Sequence, residues 1–101
     1  MARIAWTHAA LADLDRLESF LWQASPVSAE RAITAILDAT ELLQQFPEAG
    51  RPSADLDPDH RELLLPFGNS GYVVGYGVYR GTVEILSVRH MREDDAPSPQ
   101  P

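Results

Sequence analysis

Residues 61–92, RELLLPFGNSGYVVGYGVYRGTVEILSVRHMR, decide how this chain folds. Three β-rich runs lie in it. The first, 61–65, turns apolar after Arg61 and Glu62 and is expected to end at Pro66, whose ring removes a ladder donor. Phe67-Gly68-Asn69-Ser70-Gly71 has the composition of a turn. The runs 72–79 and 82–90 are rich in Val, Ile and Tyr. Only Arg80-Gly81 separates them, which predicts a hairpin closed by a two-residue loop. Both hairpin strands are apolar on both faces for much of their length, so they are expected at the centre of a sheet. The stretch closes on Arg89-His90-Met91-Arg92, gathering basic groups in a chain that has no lysine.

Working outward, Ala2-Arg3-Ile4-Ala5-Trp6 reads as a short strand, and Thr7 is placed to cap a helix beginning at His8. Over residues 8–23, Leu11, Leu14, Leu17 and Leu21 recur at helical spacing, with Asp13, Asp15 and Glu18 largely elsewhere. Ser25-Pro26 is a helix start: Ser as N-cap, Pro with its φ preset for the first turn. The second helix turns Ala29, Ala32, Ile33, Ile36, Leu37, Thr40 and Leu43 to one side and is expected to stop near Phe46, before Pro47. Residues 48–59, rich in Pro, Gly and Asp, read as a loop. The order is β-αα-βββ, an α+β architecture in which a helical hairpin packs on a small antiparallel sheet.

A chain of 101 residues with 45% hydrophobic content supports one folded domain, expected over residues 1–93. Residues 94–101, acidic and proline-rich, carry no core-forming side chain and read as a mobile tail. The absence of cysteine excludes disulfides, thiol catalysis and cysteine-ligated zinc, and fits a reducing cytoplasm. No apolar run approaches the roughly 18 residues that span a membrane, and the N-terminus lacks a signal-peptide pattern. The formal charge of −7 is uneven: residues 1–59 carry four arginines against ten acids, residues 60–92 four arginines against Glu62 and Glu84. Non-specific nucleic-acid binding needs many phosphate contacts, so direct DNA binding of that kind is not expected. A local arginine cluster can still seat a single phosphate or carboxylate.

No metal site or cofactor is expected. His8, His60 and His90 lie far apart in sequence. Asp55-x-Asp57-x-Asp59 has calcium-loop spacing, but His60 stands where that loop needs Gly and Pro66 where it needs Glu. Gly68-Asn69-Ser70-Gly71 is followed by neither a Lys nor a helix start, as a phosphate loop requires. Trp6, Leu17, Phe20 and Trp22 are more apolar than two exposed helix faces need. Part of that surplus is expected inside, and the remainder forms a groove for a partner helix. Leu17, Phe20, Leu21 and Trp22, with Tyr76 on the hairpin, are the candidate partner contacts. Tyr72, Tyr76 and Tyr79 have the chemistry to stack bases, although aromatic residues in a sheet are more often core.

Five segments in order resemble the RelE/ParE superfamily of bacterial toxins. Ala9-Ala10-Leu11-Ala12-Asp13-Leu14 is similar to the "A…DL" opening of that family's first helix. Phe46-Pro47-Glu48-Ala49-Gly50-Arg51-Pro52 is similar to "fP..GRP", Arg61-Glu62-Leu63 to "RxL", and Tyr72-Val73-Val74-Gly75-Tyr76 to "yvv.Y". Residues 83–92, VEILSVRHMR, are similar to the terminal "v.IL.v.H.R". The resemblance implies the toxin of a type II toxin–antitoxin module, neutralised by a cognate antitoxin in a hetero-oligomer. It also implies one of two targets. RelE-like members cut messenger RNA at the ribosome; ParE-like members poison DNA gyrase by protein contact.

For metal-independent RNA cleavage, arginines suit the pentacoordinate phosphate and a His, Glu or Tyr suits the proton transfers. The residues matching the family's catalytic positions are Arg61, His90 and Arg92, with Glu62 and Glu93 near them in sequence. Against a nuclease stand the missing lysines, the acids Glu93, Asp94 and Asp95 after the "H.R" segment, and the lack of a tyrosine after His90. His90 lies in phase with Leu86 and Val88, so its alternative role is a half-buried histidine tethering the last strand. Arg61 and Arg92 have an alternative as ion-pair partners of acids on the helices or on an antitoxin. These features favour a gyrase-directed ParE-like toxin over a RelE-like endoribonuclease. A degenerate toxin kept for antitoxin binding is the third reading.

Overall fold

One hydroxyl ties the start of the chain to its end. After β1 (Arg3–Trp6), Thr7 Oγ1 accepts the Ala10 N–H at 3.1 Å, capping α1 (His8–Ala24), and itself donates to the Ile85 carbonyl at 2.9 Å. Ser25 then closes one helix and opens the next. Its N–H donates to Leu21 O, and its Oγ accepts the Ser28 N–H at the start of α2 (Pro26–Leu42). The regular helix ends earlier than expected, at Leu42; hydrogen-bonded turns carry the chain on to Phe46. The computed structural model describes residues 2–53, 55 and 57–91; Arg92, Glu93 and the tail expected over 94–101 lie outside the described residues.

The remaining elements, β2 (Arg51–Pro52), β3 (His60–Phe67), β4 (Ser70–Tyr79) and β5 (Thr82–His90), join β1 in one sheet of order β1-β5-β4-β3-β2. The hairpin forms as expected, and its strands are central. Its two-residue loop places both Arg80 (φ 51°) and Gly81 (φ 80°) in the left-handed region, the twist that two-residue hairpins favour.

Three expectations change. The sheet is mixed rather than antiparallel, because β1 runs parallel to β5 with Arg3 opposite Thr82. Only a short turn forces antiparallel pairing; the helical hairpin and three strands between β1 and β5 remove that constraint. The expected loop over 48–59 contains an edge strand, Arg51–Pro52, paired with Glu62 and Arg61, and an edge position tolerates Pro52. Strand β3 also continues through Pro66, opposite Gly71, leaving only Gly68-Asn69 as the turn. Because β2 covers only the start of β3, Pro66 lies where β3 is itself the sheet edge.

The core lies between the helices and one sheet face. Ala10 and Leu17 come from α1, Ala32 and Ile36 from α2, Leu43 from the turn after it, and Tyr72, Val74, Tyr76, Val83, Ile85 and Val88 from the hairpin. The predicted helical stripes are displaced at Leu11 and Leu37, which are 50% and 40% exposed. Small Ala10 takes the seat against the sheet and turns Leu11 outward.

A β-bulge interrupts β5. Tyr76 pairs with Ile85 and Gly75 with Ser87, so Leu86 is an extra residue. The inward set therefore passes from Val83 and Ile85 to Val88 and His90, and Ser87 and Arg89 turn to the face away from the helices. Beyond Ile85, β1 no longer lines β5. There Asp13 of α1 accepts the Val88 N–H at 3.0 Å, giving the acid of the "DL" pair a structural task.

Candidate functional site

One row crosses four strands at Arg51, Glu62, Gly75 and Ser87, and its last three residues floor a cleft of about 470 Å³. Glu62 is 8% exposed. Its carboxylate accepts Arg51 Nη2 at 3.2 Å on one side and Arg89 Nη2 at 3.1 Å on the other. A buried carboxylate is tolerated when it is paired and hydrogen-bonded in this way. Gly75 leaves room for the crossing. A Cβ at that position would stand 2.6 Å from Ser87 Oγ, so a side chain there would push the Ser87 hydroxyl aside.

At the cleft's outer end, His60 has both ring nitrogens engaged. Nδ1 lies 2.8 Å from Asp55 Oδ2; Nε2 lies 2.8 Å from the Tyr79 hydroxyl and 3.3 Å from Asp57 Oδ2. The hydrogen bond to Asp55 raises the His60 pKa above its ordinary 6.5, with the charges of Asp55, Asp57 and Asp59 acting in the same direction. Asp55 is lowered from 3.8, chiefly by the same hydrogen bond. The other oxygens of this loop serve its backbone: Asp55 Oδ1 accepts the Asp57 N–H and Asp57 Oδ1 the Asp59 N–H. The Asp55-x-Asp57-x-Asp59 run is thus a pair of side-chain turns clasped by an imidazole.

Beside the cleft, Arg61 and Tyr76 hold the turn after α2. The Tyr76 hydroxyl donates to Pro47 O at 2.8 Å and accepts the Gly50 N–H at 2.9 Å. Arg61 Nη1 donates to Gly50 O at 2.6 Å and reaches Glu48 O at 3.5 Å. Burial raises the Tyr76 pKa from 10.0. Gly50 has no room for a side chain, since a Cβ would lie 2.7 Å from both the Glu62 carbonyl and the Tyr76 oxygen. The "GRP" segment therefore joins a close approach (Gly50), an arginine paired with Glu62 (Arg51) and an edge-strand proline (Pro52).

Of the residues expected to carry chemistry, Arg61 and His90 do not meet. Arg61 pairs with Tyr76 and His90 with Tyr72, at the two flanks of β4. Four residues along the strand and two strand spacings across place their backbones about 16 Å apart. The His90 ring is half-buried, edge-on to Tyr72 at a centroid distance of 5.3 Å. Arg92 lies outside the described residues. Of the expected partner contacts, Phe20 and Trp22 are 69% and 57% exposed and Leu21 is half-buried. Leu17 and Tyr76 are in the core and support the surface from beneath. The residues that do converge are Arg51, His60, Glu62 and Arg89. The sequence signal for them was slight: an acid beside Arg61 and an arginine out of phase with His90.

The chain belongs to the ParE toxin family, whose description, "ParE toxin of type II toxin-antitoxin system, parDE", matches residues 4–95. Curated relatives include Toxin RelE2 of Caulobacter vibrioides, 37% identical over 89% of this chain and 96% of its own length. Toxin RelE3 of the same organism is 40% identical over 80% of this chain and 85% of its own. A chain of the chromosomal ParDE toxin–antitoxin system from P. aeruginosa has the same fold, with a TM-score of 0.72 and 28% identity over 89% of this chain and 96% of that one. A toxin of a type II system implies an antitoxin as its partner. Among the described residues no helix is long and apolar enough to cross a membrane.

Proposed function

We propose that this toxin acts in the ParE manner, arresting DNA gyrase by protein contact, and that its antitoxin neutralises it by covering the helical hairpin. The observation that carries this reading is the state of the cations in and beside the cleft. Arg51 and Arg89 share the buried carboxylate of Glu62, and Arg61 is engaged with the Gly50 carbonyl. Asp55 lines the outer end and Asp57 lies against His60 there, in a chain of net charge −7. An RNA backbone approaching this face meets the Glu62 carboxylate beside Arg51 and Arg89 and finds Arg61 already on a backbone carbonyl, whereas phosphoryl chemistry calls for cations directed at the developing charge. Exposed Phe20 and Trp22, with half-buried Leu21, support antitoxin contact through the hairpin.

A second reading, a RelE-like endoribonuclease, draws on one feature. His60 shares the cleft with Arg89, and Asp55 orients its ring as a general base would require. Expression of the chain alone separates the two. Growth arrest with altered plasmid supercoiling and intact message supports the gyrase reading. Arrest with message cut at ribosome-bound codons, abolished by His60→Gln, establishes the nuclease instead. No arrest favours a protein kept for antitoxin binding.

A further inference from the structure

Two aspartates of the loop between β2 and β3 each divide their carboxylate between the backbone and one imidazole. Asp55 Oδ1 accepts the Asp57 N–H at 3.0 Å, and its Oδ2 lies 2.8 Å from His60 Nδ1. Asp57 Oδ1 accepts the Asp59 N–H at 2.9 Å, and its Oδ2 lies 3.3 Å from His60 Nε2. Each half of the loop is thereby tied to a different nitrogen of the same ring. We propose that His60 is a proton-operated latch on this wall of the cleft: the imidazolium holds both halves of the loop, and the neutral ring holds only the half at Asp55.

Donor and acceptor chemistry sets the order of release. An ionised carboxylate only accepts, so Nδ1, which faces Asp55, carries a proton in either state of the ring. The neutral imidazole has one proton, which leaves Nε2 bare. A bare Nε2 accepts from the Tyr79 hydroxyl at 2.8 Å and repels the Asp57 carboxylate; a protonated Nε2 donates toward both. Titration thus reverses the Tyr79 hydrogen bond without moving its ring, which lies over Gly77 where a Cβ would stand 2.6 Å from a ring carbon. Tyr79 keeps its own proton, because burial and the charges of Asp57, Asp59, Glu84 and Asp55 raise its pKa from 10.0. The neighbouring arginines are directed elsewhere: Arg61 to the Gly50 and Glu48 carbonyls, Arg51 and Arg89 to Glu62. Deprotonation therefore leaves Asp55, Asp57 and Asp59 around an uncharged ring, and their repulsion drives the Asp57 arm outward.

The arm stays attached to the sheet by its backbone. Asp57 O accepts the His60 N–H at 3.1 Å and Asp59 O the Val78 N–H at 3.3 Å. Because the His60 pKa is raised, the latch is closed below 6.5 and opens as pH climbs through the folded-state value. Ser53, Asp55 and His60 line the cleft together with Glu62, Ser87 and Arg89, so opening loosens one wall and makes it more acidic. A basic group entering at the outer end is favoured at high pH and disfavoured at low pH, whatever the toxin's target.

The experiment follows the full chain by NMR from about pH 5.5 to 8.5, the range in which a histidine titrates. Ring nitrogen shifts give the tautomer; amide exchange, corrected for its intrinsic pH dependence, gives the state of the loop. The expected result is a neutral ring with its proton on Nδ1. Protection at the Asp59 N–H should fall about fivefold as Nε2 loses its proton, and protection at the Asp57 N–H should fall less. Two variants, each checked for fold by circular dichroism, should move the His60 midpoint in opposite directions. Asp57→Asn removes a charge that favours the imidazolium, so it lowers the midpoint and abolishes the pH dependence at Asp59. Tyr79→Phe removes the donor to the neutral Nε2 while the imidazolium retains Asp57, so it raises the midpoint. A neutral ring protonated on Nε2 overturns the latch, as does Asp59 protection that stays constant through the titration or a midpoint that Tyr79→Phe lowers. Should either variant fail to fold, the tautomer and the exchange of the unaltered chain decide alone.

Discussion

Replacing Tyr76 by Phe removes one oxygen atom from a fully buried ring. The change leaves two backbone groups without their partner: the buried N–H of Gly50 and the half-buried carbonyl of Pro47. An amide N–H stranded in the interior costs about 1–3 kcal/mol, and a lost hydrogen bond to a carbonyl that water can partly reach costs about 0.5–1 kcal/mol. The phenyl ring keeps the packing of the original, so no cavity is added. The expected destabilisation is about 2 kcal/mol, which for a domain of this size lowers Tm by about 8–16 °C. Because burial holds the phenol protonated past its ordinary 10.0, it donates to Pro47 throughout the working pH range, and the loss should not vary between pH 6 and 8. Urea unfolding monitored by circular dichroism gives the free energy. Hydrogen exchange at Gly50 reports whether the turn itself has loosened. A destabilisation under about 0.5 kcal/mol, with Gly50 still protected, would refute the claim that this hydroxyl holds the turn.

The cleft and the hairpin give three further expected outcomes. Glu62→Ala should destabilise by about 2 kcal/mol by leaving Arg89 and Arg51 without their shared carboxylate, whereas Arg51→Ala, which removes the more exposed partner, should cost under about 1 kcal/mol; equal losses in chemical denaturation would contradict this geometry. His60 has a raised pKa, so its stabilising contribution is complete below 6.5 and fades as pH rises through the folded-state value, while that of Asp55, lowered from 3.8, fades as pH falls through its own. Stability lost in Asp55→Asn should therefore be greatest between about pH 4 and 6.5 and shrink toward pH 8, and a His60 titration by NMR that stays at its ordinary midpoint would refute the clasp. Arg80→Asn, which gives the hairpin an Asn-Gly turn at a position with φ 51°, should raise stability by about 0.5 kcal/mol in thermal unfolding; a loss there would mean that the Arg80 side chain has a task of its own.

The features legible in the sequence were local. The Thr7 and Ser25 caps, Pro26 at the start of α2 and the Arg80-Gly81 hairpin depend on neighbours a few residues apart, and each forms. The parallel pairing of β1 with β5 was hidden because Ile4 meets Val83 across nearly the whole chain, and neither strand marks the direction of its partner. Pro66 misled because a proline forbids a central strand but not an edge, and being at the edge depends on how far β2 extends. The cleft was hidden for the same reason: Glu62 gains its meaning from Arg51, 11 residues before it, and Arg89, 27 after it. His60 looked solitary because its partners, Asp55 and Tyr79, come from a loop and another strand.

The extra residue at Leu86 gives this toxin an unusual response to length changes. A strand normally assigns its side chains to two faces by parity alone, and here that assignment is reversed halfway along. Removing Leu86, a three-base deletion, would restore plain alternation and leave Ser87 and Arg89 toward the cleft and Val88 and His90 inward, because Ser87 would then follow Ile85 directly. A substitution at Leu86 preserves the count and with it every downstream assignment. In a library of natural or engineered variants, this position should therefore accept many side chains and tolerate deletion as well, the opposite of what its ordinary apolar character suggests.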